Sequence, residues 1–547
     1  MKRILMMCCV AIATLFATNQ ASACTGFLVG KKASTDGSVM ISYAADSHTL
    51  YGELYHWPAA TWPADAMLKI NEWDTRKPLG EIKQVAQTYN VVGNMNEHQL
   101  AITESTFGGR PELVDPTGIM DYGSLIYVTL QRAKTAREAI AVMTDLVKQY
   151  GYYSGGESFS IADKNEAWIM EMVGKGKGNK GALWVAIRIP DDCISAHANQ
   201  SRIQQIPFDD KENCMYSPDV VSYAREKGFF KGKDADFSFQ AAYCPYDFGS
   251  LRGCEARVWS FFRKYDKNME QYISFIRGES KQPMPLYIKP DRKLSVQDVQ
   301  DGMRDHFEGT PFCMANDPGA GPYKVPYRWR PMGFEVDGKK YINERAIATQ
   351  QSAFVIVPQM RNWLPDAIGG VLWFAVDDAN TAVYTPMYAS MTAVPECYRV
   401  GNGDMHNFSW TSGFWIYNWV ANMAYHKYSL MIEDIRPVQK ELEKGFKDMM
   451  PAIDDAAQKL YAKNPAEAVN FMTWYSCTEA ERATARWKKL GEYLMVKYVD
   501  GNMKKEKDGK FVENGFGLSA GPDFPGYSEE YYRSIAKSAA GSNLEVK

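Results

Sequence analysis

The stretch Cys24-Thr25-Gly26-Phe27-Leu28-Val29-Gly30-Lys31-Lys32-Ala33-Ser34-Thr35-Asp36-Gly37-Ser38 decides how this chain is read. The runs 24–30 and 38–44 on either side of its polar middle read as two short strands. Residues 31–37 join them, and Asp36-Gly37 is a strong turn signal. The spacing predicts a β-hairpin with Cys24 at the head of its first strand. A chain end pinned in a sheet is held in position, whereas most ends fray.

What precedes Cys24 gives that position its interest. Met1-Lys2-Arg3 is a basic start, 4–17 is largely apolar, and Ala21-Ser22-Ala23 is the small-x-small pattern read by signal peptidase. Residues 1–23 are therefore expected to be a signal peptide cleaved at Ala23-Cys24, giving an exported protein, periplasmic or extracellular. Cleavage leaves a cysteine carrying a free α-amine, so that nucleophile and base reside on one residue. An ordinary α-amine has a pKa of about 7.7–8.0 and a cysteine about 8.5, so both can work near neutrality after small shifts. Two other readings compete: a structural cysteine, and a lipidated cysteine on a non-enzymatic binding protein, whose acylated amine is no base. Ala21 stands where a lipobox usually carries Leu, which favours the ordinary peptidase.

Composition bounds the rest. A 46% hydrophobic and 13% aromatic content is ample for a large core. The net charge of −3 becomes −5 without Lys2 and Arg3, so no basic surface is offered to nucleic acid. No later segment approaches the ~20 apolar residues of a membrane span; 368–376 is far too short. Of ten cysteines, eight follow the leader. Without Cys24 the remainder is odd and cannot all pair; Cys244 and Cys254 are a candidate disulfide, and few staples are expected. Oligomeric state stays open, a homo-oligomer included.

Along the chain, Thr135 to Glu138 reads as a capping box opening an amphipathic helix that Gly151 stops. Strand-like runs follow at 158–162, 167–173 and 183–189, and a second strand-rich stretch covers 353–388. Strands, a helix and more strands suit sheet layers covered by helices. Beyond about residue 425 the pattern is helical, with Asn464-Pro465 opening one helix and Thr478 with Glu481 forming another capping box. Residues 504–507 and the final residues read as solvated loops.

Other motifs lead elsewhere or nowhere. The GxGxxG at 176–181 precedes a strand, where a dinucleotide fingerprint requires a helix, and reads as a hairpin loop. The seven histidines lack metal-ligand spacing, so neither a metal nor a cofactor is expected.

From Cys24 onward the chain resembles the cysteine dipeptidases of the N-terminal-nucleophile hydrolase superfamily, the dipeptidase A group related to secernins. The opening motif carries the resemblance, together with 92–104, which holds Gly93-Asn94-Met95-Asn96-Glu97, and 194–203. Residues 304–311, Arg304-Asp305-His306-Phe307-Glu308-Gly309-Thr310-Pro311, and 344–373 extend it. It implies an α+β fold, a four-layer αββα sandwich over 24–425 with a helical region over 426–547, and hydrolysis of short peptides. More distantly, the first hairpin is similar to the bile-salt hydrolase and penicillin acylase branch, which leaves an amidase as an alternative. That branch places Arg-x-x-Asp after the second strand. Here Asp46 fits, but Tyr43 stands at the arginine position. The resemblance implies catalytic roles for Cys24, for Asn199 as oxyanion donor, for Arg257 near the nucleophile and for Asp46. It implies substrate contacts for Tyr43, Glu104 and Thr106.

Overall fold

The computed structural model describes residues 24–538 and 544–546. The signal peptide read over 1–23 lies outside the described residues.

Two large antiparallel sheets dominate a mixed α and β architecture. The opening hairpin forms from β1 (Gly26–Val29) and β2 (Val39–Ile41), pairing Leu28 with Ile41 and Val29 with Met40. Gly37 turns the loop with φ of 87°, which an L side chain rarely adopts. After one residue the chain re-enters as β3 (Tyr43–Asp46). The second sheet is built on β4 (Ala101–Gly108), β5 (Gly156–Ala162), β6 (Ala167–Gly174) and β7 (Ala182–Ile189), neighbours in that order. The GxGxxG segment is the β6–β7 turn, as its sequence context required.

The chain then returns to the first sheet with β8 (Ile194–His197), β9 (Ser352–Met360), β10 (Gly370–Val376) and β11 (Thr385–Tyr388). Its order is Tyr287–Ile288, β8, β1, β2, β9, β10, β11, and β3 also pairs with β9. The N-terminal strand thus lies inside the sheet, with β8 on one side and β2 on the other. Gly26 makes this possible: a Cβ there would come within 2.9 Å of the His197 ring.

β1 and β2 lie against the second sheet at β5 and β6. Helices α1 (Tyr122–Leu130) and α2 (Ala136–Tyr150) pack on that sheet, α1 through Leu125 and Val128 and α2 through Ile140, Met143 and Leu146, which share a core with Phe159, Ile161 and Trp168. Burying each such α2 side chain contributes about 1.5–3 kcal/mol. Thr135 caps α2 by accepting from the Glu138 N–H; Glu138 reaches back to the Lys134 N–H, one residue short of a reciprocal box. On the first sheet, helix α3 (Ala256–Arg263) stacks Phe261 on Phe27 with ring centroids 3.8 Å apart.

The C-terminal region is helical: α4 (Gly413–His426), α5 (Tyr428–Tyr461) and α6 (Pro465–Lys497). Asn464 caps α6 as expected, but Thr478 does not start a new helix. It lies inside α6, because buried Tyr475, Ala480, Ala483 and Trp487 keep one continuous face against the core; Glu481 instead accepts from the Cys397 N–H. Residues 504–507 belong partly to a small exposed hairpin, and Glu529–Lys537 is a helix capped by Ser528 rather than loop. Cys244 and Cys254 remain thiols. No described helix is long and apolar enough to cross a membrane.

Candidate active site

Cys24 is fully buried at the head of β1. Its Sγ lies 3.4 Å from Glu104 Oε1 on β4 and 3.6 Å from the Tyr43 hydroxyl on β3. Tyr43 donates to the same Glu104 oxygen at 2.5 Å, so thiol, phenol and carboxyl form one triangle between the two sheets. Burial pushes the thiol well above its usual range, and the Glu104 and Asp46 carboxylates raise it further. The modest shifts expected for a cysteine near neutrality do not hold for the intact chain. There the Cys24 nitrogen is an amide and brings no positive charge.

Asp46 ends β3, where Ser352 of β9 donates to Oδ1 at 2.6 Å and Arg345 to Oδ2 at 3.0 Å. Burial lifts its carboxyl to about 6 even though Arg345, Ser352 and Arg257 pull it down. Position 43 supplies no arginine, yet Asp46 has one: Arg345 arrives from the segment ahead of β9.

Arg257, on α3, is buried and binds five acceptors. They are the Gly253 carbonyl, the Cys24 carbonyl and Thr25 Oγ1 at 2.7 Å, the Ala198 carbonyl at 3.1 Å and Asn199 Oδ1 at 2.9 Å. Burial lowers its pKa to about 10, which leaves it charged at neutral pH. It clasps the backbone of Cys24 to the turn after β8. That turn places Asn199 at φ of 58°, a conformation asparagine tolerates better than most residues. Asn199 Oδ1 accepts from both Arg257 and Arg345, and Nδ2 donates to the Thr106 carbonyl at 2.7 Å. The arginines thereby settle which end of the amide is oxygen, and Nδ2 is aimed at the β4 edge.

Thr106, on β4, donates its hydroxyl to Glu157 Oε1 on neighbouring β5 at 2.9 Å. Glu157, opposite Thr106, lies diagonally across the strand pair from Glu104. Burial and the Glu104 charge push the Glu157 carboxyl well up, and burial raises Glu104. Beneath them His197 is held between Ser105 and Ser160 at 2.6 and 2.7 Å, and burial lowers it to about 3. It is a neutral scaffold residue.

All seven residues singled out in the sequence meet here: Tyr43 and Glu104 on the thiol, Arg257 on its backbone, Asn199 and Asp46 bridged by Arg345, and Thr106 against Asn199. Reasoning from sequence missed Arg345, Ser352 and Glu157. Arg345 and Ser352 lie within the matching stretch 344–373, but nothing local marks either as a partner of Asp46. Glu157 carries no motif at all.

A thiol between two sheets, with a paired carboxylate, a clasping arginine and an oriented amide, suits nucleophilic attack on a carbonyl. Comparison with known proteins agrees. The chain is 28% identical over 408 residues to a probable dipeptidase of Salmonella dublin, covering 69% of this chain and 83% of the relative. It is 26% identical over 476 residues to a probable dipeptidase of Latilactobacillus sakei (83% and 90%). It is 25% identical over 422 residues to dipeptidase A of Lactobacillus helveticus (73% and 81%). The model of peptidase family C69 matches residues 23–441, beginning one residue before the buried thiol, and the chain belongs to that family.

Proposed function

We propose that the protein is an exported cysteine dipeptidase, with Cys24 as nucleophile after cleavage at Ala23-Cys24. The two contacting sheets and their covering helices are read as the four-layer αββα sandwich of N-terminal-nucleophile hydrolases, spanning 24–425, with 426–547 as a helical addition. The observation that carries this reading is the Arg257 clasp, one guanidinium holding both the Cys24 carbonyl and Asn199 Oδ1. The relatives named dipeptidases support the substrate class.

Cleavage converts the Cys24 amide into an α-amine. That supplies a base and, when protonated, a positive charge near Asp46 and Glu104, offsetting the burial that holds the thiol protonated. The amine takes the thiol proton, and the thiolate forms a bond to the scissile carbonyl carbon. The oxyanion accepts a hydrogen bond from Asn199 Nδ2 and a backbone N–H near Thr106, each such donor contributing about 2.7–4 kcal/mol. Collapse breaks the C–N bond as the ammonium returns its proton to the leaving amine, leaving a thioester. Water then attacks the thioester carbonyl and gives a proton to the amine; the C–S bond breaks, the ammonium returns that proton to the Cys24 sulfur, and the acid product leaves. Asp46 holds the ammonium; Tyr43, Glu104 and Thr106 face the substrate.

The test is dipeptide hydrolysis by chain beginning at Cys24 and by its Cys24→Ser variant. The variant is expected to lose at least about a thousandfold in kcat while keeping the same circular dichroism spectrum. Full activity in the variant overturns the proposal, and preference for N-acyl amides over dipeptides favours the amidase reading.

A further inference from the structure

On α2, which covers the outer face of the second sheet, lies a cleft that the proposed chemistry does not use. Residues 63–64 and 83–86 form one wall and α2 the other, and the cleft offers room of about 650 Å³, open to solvent. Small-molecule sites usually run from about 300 to 1,000 Å³, so this room is ample for one. Cys24 lies between the two sheets instead, and none of the residues around it lines the cleft.

The charges of the cleft are unbalanced. Arg132, from the connection between α1 and α2, is half-buried in it. Its Nη2 donates to the Lys83 carbonyl and to Gln84 Oε1, both at 3.1 Å. Nε is buried and makes no hydrogen bond; Nη1 makes none among the described residues and stays accessible. Burial pulls the Arg132 pKa below its usual range, opposed only by the Tyr150 and Tyr127 phenols. Lys83, exposed at the end of the strand Pro78–Lys83, pairs with no carboxylate among the described residues. Asp145, on α2, accepts from Gln149 Nε2 at 2.6 Å and lies within ion-pair distance of neither cation. Half-buried Val85 and Val142 and buried Leu146 complete the lining with apolar surface.

This combination selects a ligand chemistry. Desolvating part of a guanidinium with no counter-charge costs free energy that a bound anion returns, and a carboxylate matches the guanidinium fork. Inorganic phosphate would meet the cations but leave the apolar walls uncovered. An apolar amine would cover the walls but meet two like charges. A carboxylate on a hydrocarbon body satisfies both parts.

We propose that this cleft is a second binding site, separate from Cys24, for a small carboxylate with an apolar body: the carboxylate pairs with Arg132 and Lys83, and the hydrocarbon lies on Val85, Val142 and Leu146. The chemistry is common to a medium-chain fatty acid and to the apolar C-terminal residue of a peptide. The inference does not depend on the dipeptidase reading.

Saturation-transfer NMR titrations on chain beginning at Cys24 test it with four probes: octanoate, N-acetyl-leucine, octanamide and acetate. Octanoate or N-acetyl-leucine is expected to bind with a Kd of about 1 mM or tighter. The tighter of the two identifies the source, fatty acid or peptide end. Octanamide, which keeps the chain without the charge, and acetate, which keeps the charge without the chain, should each bind at least about tenfold more weakly. Arg132→Gln should weaken binding of the tighter probe at least about tenfold while dipeptide hydrolysis stays within about twofold of the parent. Val142→Glu, which adds a negative charge to the exposed side of α2 within the cleft, should weaken it similarly if loss of Arg132 prevents folding. Absence of binding by both larger carboxylates at 10 mM, equal binding of octanamide or acetate, or undiminished binding by both variants overturns the inference.

Discussion

Arg345 Nη2 lies 3.0 Å from the Asp46 carboxylate although 299 residues separate the two, and its Nη1 reaches Asn199 Oδ1 at 3.1 Å. One guanidinium thus couples the end of β3 to the turn after β8. It supplies in space the cation that position 43 lacks in sequence.

Loss of that guanidinium leaves a buried carboxylate without its ion pair. Breaking such a pair from one side costs about 3–5 kcal/mol. Arg345→Met is therefore expected to lower stability by about 3 kcal/mol in urea unfolding, and Asp46→Asn added to it should recover at least half. A single variant within about 0.5 kcal/mol of the parent argues against a structural role for the pair.

Asn199 is held by two arginines at its oxygen, so its Nδ2 is pre-aimed. Asn199→Ala should lower kcat by about a hundred- to a thousandfold with a small change in KM, the pattern of a contact made in the transition state. A pure KM effect would assign Asn199 to substrate binding instead.

In the proposed mechanism the free amine of Cys24 is the base. N-terminal sequencing of the exported protein is expected to begin Cys24-Thr25-Gly26. Chain retaining a residue ahead of Cys24 should lose about a hundred- to ten-thousandfold in kcat, the usual contribution of a positioned base. An acylated Cys24 by intact mass, or full activity with an extra residue in front, defeats this mechanism.

Asp377, in the turn after β10, gives a pH signature independent of catalysis. It is buried, accepts from Asn418 Nδ2 at 2.9 Å, and burial raises it from 3.8 to about 8. Between those values the folded protein keeps a proton that the unfolded chain releases. The stability from the neutral acid is thus present in acid and lost as pH rises through about 8. Asp377→Asn, which mimics the neutral acid, should gain on the parent by about 2–4 kcal/mol between pH 5 and 8. A pH-independent difference in urea midpoints contradicts this.

Much of the scaffold was legible because it is local. The Asp36-Gly37 turn, the Thr135 cap with Gly151, the β5–β7 runs and the Asn464-Pro465 start each follow from short-range chemistry. Local signals also misled: Thr478 with Glu481 has the composition of a helix start, but a buried face running through it keeps α6 continuous.

By itself the sequence singled out Cys24, through the leader-like pattern ahead of it, the first hairpin and the family motif that begins there. Tertiary structure decided what surrounds it. Arg345 reaches Asp46 only because β9 pairs with β3, and Glu157 reaches Glu104 only because β4 and β5 are neighbours. Burial then sets the charges: the same cysteine that reads as nearly poised in the sequence is held protonated between two sheets and two carboxylates. Contacts across hundreds of residues, and the desolvation they impose, have no signature in spacing or composition.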